Sequence, residues 1–241
     1  MQSSKRAIKL LFFLLLLLMI MACGISSSKS QATAVPTKTP IVLPTSTPVP
    51  SVLTVCLGQE PNTLYPFGGP NAAARSVLAA INDGPMDSVG YAYQPVIFTQ
   101  MPSIKNGDAQ IVKTTIQLGG QVVDADGKLV LLAQGNRVRP AGCRGDDCVI
   151  TYDGTTPLQM DQMVVNFHLR LGLTWADGTP LTADDSVYAY TLASDASSIA
   201  DAYLIDRTQS YEATDPKTLQ WWGKPGFIDA TYFTNFWAPA P

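Results

Sequence analysis

The chain has a single histidine, His168, among its 241 residues. One imidazole cannot build a His-Glu-x-x-His zinc helix, and no Gly-x-Ser-x-Gly nucleophile turn occurs anywhere. Charge is sparse, at 15% of residues, and acidic side chains outnumber basic ones by 19 to 16. With no basic stripe, nucleic acid is an unsuitable partner. No apolar run reaches the roughly 20 residues that a membrane-crossing helix needs; the longest is Leu10 to Ala22. No internal repeat is present. These absences point away from an enzyme, from a resident cofactor and from a metal site.

What the N-terminus does contain is ordered. Lys5, Arg6 and Lys9 precede the apolar run, which stops at Ile20-Met21-Ala22-Cys23-Gly24. A positive flank, a short apolar core and a small residue before the cut make a secretory signal. Ile20 to Cys23 resembles the bacterial lipobox. That resemblance implies that Cys23 is the lipid attachment site and the mature N-terminus, on the outer face of the cytoplasmic membrane. Residues 1–23 are thus read as a lipoprotein signal peptide. Residues 24–51 hold five prolines and eleven Ser or Thr. Such a stretch cannot bury enough surface to offset its ordering entropy and reads as a disordered tether. At about 3.1 Å per residue its extended reach is on the order of 80 Å.

Residues 52–241 read as folded. Val52 to Leu57 predicts a short buried strand, with Cys56 in it as a small hydrophobe. Asn71 suits the cap of a helix to about Asn82, with Val77, Leu78 and Ile81 on one face. Short strands are predicted within Tyr91 to Thr99 and over Ala109 to Leu118. Gln121 to Leu132 predicts a hairpin turning at Asp126-Gly127. Asp124-Ala-Asp-Gly127 also resembles the start of a calcium loop, but the later ligands are missing, so the turn reading holds. In an oxidising compartment Cys143 and Cys148 are expected to form a local disulfide. Zinc on cysteines is excluded, because Cys23 would carry lipid and Cys56 sits in a strand.

Met163 to Leu171 alternates. Val165, Phe167, Leu169 and Leu171 fall on one side, and Asn166, His168 and Arg170 on the other, as in a half-buried strand. A tight turn over Thr174 to Pro180 follows. Thr182 then caps a helix to about Ser194, with Asp185 in the capping-box position and Tyr188 and Leu192 sharing a face with Ala189. Ser210 to Ala213 and Thr218 to Trp222 predict two strands joined at Asp215-Pro216. Phe236 and Trp237 are expected to lack cover.

The stretch Val165 to Tyr190 resembles the signature of the family 5 solute-binding proteins, the receptors of oligopeptide, dipeptide and nickel ABC importers. It carries Leu169-Arg170, Gly172, Trp175, Asp177-Gly178-Thr179-Pro180 and Thr182-Ala183-Asp184-Asp185. Leu53 to Pro66, Met101-Pro102-Ser103 with Asn106-Gly107, and Tyr211 to Leu219 resemble other family segments in the same order. The resemblance implies an α/β fold: the N-terminal part of a two-lobed, type II periplasmic-binding-protein-like architecture. Family members run to several hundred residues, so the second lobe is expected to be missing and the 241-residue chain to be binding-deficient.

Turn and cap chemistry explains the motif residues Trp175, Asp177, Gly178, Pro180, Thr182 and Asp185 without a substrate. The resemblance places substrate contacts in the loop after the first strand, at Glu60, Asn62, Thr63 and Tyr65. The partners it implies are a peptide or other small solute, ABC permease subunits, and the membrane through the lipid anchor. The alternative is a structural or enzymatic surface lipoprotein.

Overall fold

A computed structural model describes residues 52–82, 84–200 and 202–240. The signal peptide, Cys23 and the tether lie outside the described residues. Val55–Pro241 form one compact unit.

The fold is organised around one long strand. In chain order come helix α1 (Ala72–Ile81), the hairpin β1 (Met86–Val89) and β2 (Ala92–Pro95), strand β3 (Ala109–Ile116), and the small pairs β4 (Gln121–Val123) with β5 (Leu129–Leu131) and β6 (Arg137–Val138) with β7 (Ile150–Thr151). Then follow β8 (Leu158–His168), helices α2 (Ala183–Ala193) and α3 (Ala202–Arg207), and strands β9 (Thr208–Asp215) and β10 (Thr218–Gly223). A 3-10 turn at Tyr232–Thr234 precedes the last described residues. The main sheet has the order β3-β8-β10-β9, and its neighbouring pairs are antiparallel.

Strand β8 is central because both of its edges are occupied. Its partner β3 runs from Ala109 opposite Val165 to Ile116 opposite Leu158. On the other edge Trp222 faces Val164 and Thr218 faces His168. Side chains alternate across the strand. Met163, Val165 and Phe167 enter the main core with Phe98, Leu219, Trp221, Tyr211 and Phe236. Leu158 and Met160 enter a second core with Val122, Leu132, Val138 and Tyr152. The expected half-buried strand therefore holds only near its end, where Asn166 and His168 are partly exposed. Leu171, placed by periodicity on the buried side, is 86% exposed, because the strand ends at His168 and the chain has turned away.

Helix α2 approaches β9 through small residues: Ala183, Ser186, Ala189 and Ala193 are buried. This corrects the expectation that Tyr188 and Leu192 share its packed face; Tyr188 is half exposed. Helix α1 has the expected Asn71 cap, whose side chain accepts the Ala74 N–H. Its buried residues are Ala73 and Ala74, and Ile81 stands in solvent.

Two further corrections concern the ends of the described chain. Val52 to Leu57 forms no strand, and Cys56 is a free, exposed thiol. An apolar run becomes a strand only where an edge pairs with it, and neither sheet edge, β3 or β9, does so. Conversely, Phe236 does not lack cover. It is buried, with ring centroids 4.7 Å from Phe98 and 5.3 Å from Phe167. Among the described residues no helix is long and apolar enough to cross a membrane.

Candidate functional site

The loop from Gly58 to Pro70 is closed by its own amides. Asn62 Nδ2 donates to Gly69 O at 2.9 Å, and Asn62 Oδ1 accepts the Asn71 N–H at 2.8 Å. Asn71 Nδ2 in turn donates to Glu60 O at 2.9 Å. The cap of α1 and the loop are thus one hydrogen-bonded unit. Thr63 Oγ1 accepts the Tyr65 N–H at 3.0 Å. Of the four residues placed in this loop, Asn62 and Thr63 spend their side chains on holding it. Glu60 is exposed, and Tyr65 is about half exposed with its ring 5.7 Å from Phe67. Glu60 and Tyr65 are the two that present a functional group outward.

The strand-turn-helix motif is a separate structure. Thr174 bridges Pro180, and the Trp175 N–H donates to Thr179 O at 2.8 Å. Gly178 adopts φ 88°, a left-handed conformation that disfavours a Cβ. The Asp177 carboxylate accepts the Thr179 hydroxyl at 2.7 Å and the Thr179 N–H at 2.9 Å. Those bonds, the hydroxyl first, hold its pKa below the ordinary carboxylate value. At the helix start Asp185 Oδ2 accepts the Thr182 N–H at 2.7 Å and the Trp175 indole N–H at 3.3 Å. The carboxylates of Asp177 and Asp185 are thereby used inside the turn and the cap. Among the described residues, no hydrogen bond or ring contact joins this motif to Glu60, Asn62, Thr63 or Tyr65.

Cys143 and Cys148 are bonded to each other, with Cα atoms 5.6 Å apart. The enclosed Arg144-Gly-Asp-Asp147 is tied to the sheet by Asp161 of β8, a carboxylate only 8% exposed. Asp161 Oδ2 accepts the Gly142 N–H at 2.8 Å and pairs with Arg144. Asp146 pairs with Arg139 at 2.7 Å. Both charged side chains of the Arg-Gly-Asp tripeptide are thus engaged within the protein.

One cluster is not visible from spacing. His168 Nε2 lies 3.3 Å from Asp108 Oδ1, and its Nδ1 lies 3.1 Å from Thr218 Oγ1. Gln100 Nε2 donates to the other oxygen of Asp108 at 2.9 Å. These residues come from β8, β10 and the segment before β3, so only the sheet order assembles them. Thr218 faces His168 across the β8–β10 pairing, two strands that no local turn joins, so no adjacent residues signal the contact. The group fastens three segments at one end of the sheet.

Comparison with known proteins adds an independent finding. The family model described as bacterial extracellular solute-binding proteins, family 5 Middle, matches residues 158–238. No curated protein matches the chain. One solved structure that resembles it is an oligopeptide binding protein from Thermus thermophilus complexed with pentapeptide, at 13% identity and a TM-score of 0.43. That likeness covers 71% of this chain and 21% of the other, so the chain spans about a fifth of that protein. The family match begins at Leu158, the first residue of β8, and takes in the turn, the capped helix α2, the β9–β10 hairpin and the buried Phe236. Over residues 158–238, about a third of its length, this chain is similar to the bacterial extracellular solute-binding proteins of family 5.

Proposed function

We propose that this chain is part of the substrate-binding component of an ABC importer, with peptides as the solute. In this reading Cys23 carries the lipid that holds it on the outer face of the cytoplasmic membrane. Residues 24–51 give it reach, and the loaded receptor hands its ligand to a membrane permease. The observation that carries the reading is the family match over residues 158–238. Peptides are the solute class implied by the resemblance of Val165 to Tyr190, and Glu60 and Tyr65 are the groups proposed to meet them.

The residues to Pro241 alone are proposed to bind peptides weakly or not at all. Glu60 and Tyr65 stand open to water. Receptors that close around a ligand derive affinity from contacts on both sides with water excluded.

Uptake of labelled tri- to pentapeptides by cells with and without the gene tests the function. Reduced uptake is expected on deletion, and unchanged uptake would refute it. Cys23→Ser tests the anchor: the variant should fail lipoprotein processing and leave the membrane fraction. Calorimetry of the mature chain with the same peptides tests the deficiency, which micromolar binding would disprove.

A further inference from the structure

The face of the sheet that carries Leu158, Met160 and Gln162 opens beyond the second core into a shallow cavity of about 340 Å³. Thr114 and Ile116 of β3, Gln121 of β4, Gln162 of β8 and Gln209 of β9 line it, with Gly120 and Pro225 from two connections. Its polar lining is three carboxamides and one hydroxyl, and no charged side chain lines it. Gln162 is buried, and its Nε2 is fixed by donation to Gly223 O at 2.9 Å. Gln209 Oε1 is steadied by Lys224 Nζ at 3.3 Å. None of Glu60, Asn62, Thr63 and Tyr65 takes part.

The same face continues along β8 as a row of amides and an indole. Gln162, Val164 and Asn166 share one side by strand alternation, and Trp222 stands opposite Val164. Trp222 Nε1 donates to Gln220 Oε1 at 2.6 Å, and Gln220 Nε2 donates to Asn166 Oδ1 at 2.9 Å. Trp222 is partly exposed.

We propose that this face is a second ligand site, for a neutral, hydroxyl-rich ring compound, a saccharide of one or two units. Each carboxamide offers donors and an acceptor on one planar group, the pairing that adjacent hydroxyls require. Ile116 and Pro225 supply apolar wall for the C–H face of a ring. The absence of charge from the lining disfavours ions and peptide termini, whose desolvation would go uncompensated. The volume lies at the lower end of the roughly 300–1,000 Å³ of small-ligand pockets, which limits the occupant to a small saccharide.

Titration of the mature chain with N-acetylglucosamine, maltose and trialanine, followed by amide NMR shifts, tests the site. A saccharide response in the millimolar range is expected at Thr114, Gln121, Gln162 and Gln209. Gln121→Ala and Gln209→Ala should each weaken it about tenfold, the scale of one lost hydrogen bond, with unchanged melting temperature. The proposal is overturned if neither saccharide shifts these amides, if both variants respond like the parent, or if trialanine is preferred there. It is independent of the peptide reading, whose failure would leave these outcomes unchanged.

Discussion

Trp175 and Asp185 meet across the turn that joins β8 to α2: the indole N–H lies 3.3 Å from Asp185 Oδ2, the oxygen that also accepts the Thr182 N–H at 2.7 Å. One carboxylate thus starts the helix and fixes the aromatic of the preceding turn. Asp185→Ala should cost about 1–2 kcal/mol, the range of a lost helix cap. Thr182→Ala should cost less. It retains the backbone N–H bonded to Asp185, and the hydroxyl it removes accepts the Asp185 N–H of the capping box and reaches the carboxylate only at 3.4 Å. Urea unfolding of the two variants checks the order; equal losses would return the main capping role to the Thr182 side chain.

The disulfide loop and Asp161 should prove coupled. The Cys143–Cys148 bond closes a short loop, which chain entropy values at about 2 kcal/mol. Asp161 holds the same loop through the Gly142 N–H and Arg144. Asp161→Ala removes an acceptor from a backbone donor and should itself cost about 1–3 kcal/mol. Once the loop is released by Cys143→Ser with Cys148→Ser, Asp161 has less to hold, so the losses should be less than additive. A double-mutant cycle by denaturant unfolding measures this, and strict additivity would show that Asp161 acts elsewhere.

Much of the fold follows local rules, and the parts that do not follow them depend on distant partners. The Asn71 cap, the β4–β5 hairpin, the turn at Asp177-Gly178 and the break at Asp215-Pro216 are each set by a few adjacent residues, and all are readable from sequence. Even there the hairpin loop is longer than its Asp-Gly pair suggests. Residues 124–128 form a five-residue loop in which Asp124 Oδ1 accepts the N–H groups of Asp126 and Lys128. Burial was less legible. Val52 to Leu57 and Leu171 have the apolar pattern without the neighbour, whereas Phe236 finds its neighbours in Phe98 and Phe167, both far away in sequence. The candidate loop was legible only through resemblance. Its geometry shows that Asn62 and Thr63 serve the loop itself. The Gln162 cavity carries no sequence pattern, because its lining comes from four strands and two connections.

Acid should loosen this protein through its turn carboxylates. Asp153 has its pKa lowered to about 2, first by the N–H groups of Thr155 and Thr156 and then by the Thr156 hydroxyl. Asp195 is lowered first by the Ser197 hydroxyl and then by the Ser197 N–H, and Asp215 first by the Lys217 N–H. A carboxylate whose folded pKa lies below its unfolded value contributes stability above that unfolded value, near 4. It loses the contribution as pH falls through the folded pKa. The melting temperature should therefore drop between about pH 4 and pH 2. Asp153→Asn keeps an acceptor for the turn but removes the titrating group and its contribution, so it should melt somewhat below the parent at pH 7, approach it near pH 2 and show a shallower acid decline. An identical decline would exclude Asp153 from the linkage.

The segment from Asn235 to Trp237 should contribute far more to stability than its exposed surroundings suggest. Phe236 packs against Phe98, Phe167 and Tyr211, and so closes the main core. Beside it the Tyr211 hydroxyl lies 2.7 Å from Ser186 Oγ and accepts the Trp237 N–H at 3.4 Å. Ser186 also donates to Trp237 O. Burial raises the Tyr211 pKa well above its usual range, so the phenol stays neutral and the network intact through the physiological range. Two kinds of contact therefore hold the segment, and they can be separated. Phe236→Ala removes a ring from a packed core and should cost about 3–5 kcal/mol. Tyr211→Phe removes one hydroxyl while Ser186 keeps its bond to Trp237, so about 1–2 kcal/mol is expected. Denaturant unfolding ranks the two. If Phe236→Ala costs no more than Tyr211→Phe, the hydroxyl network rather than the ring holds the segment in place.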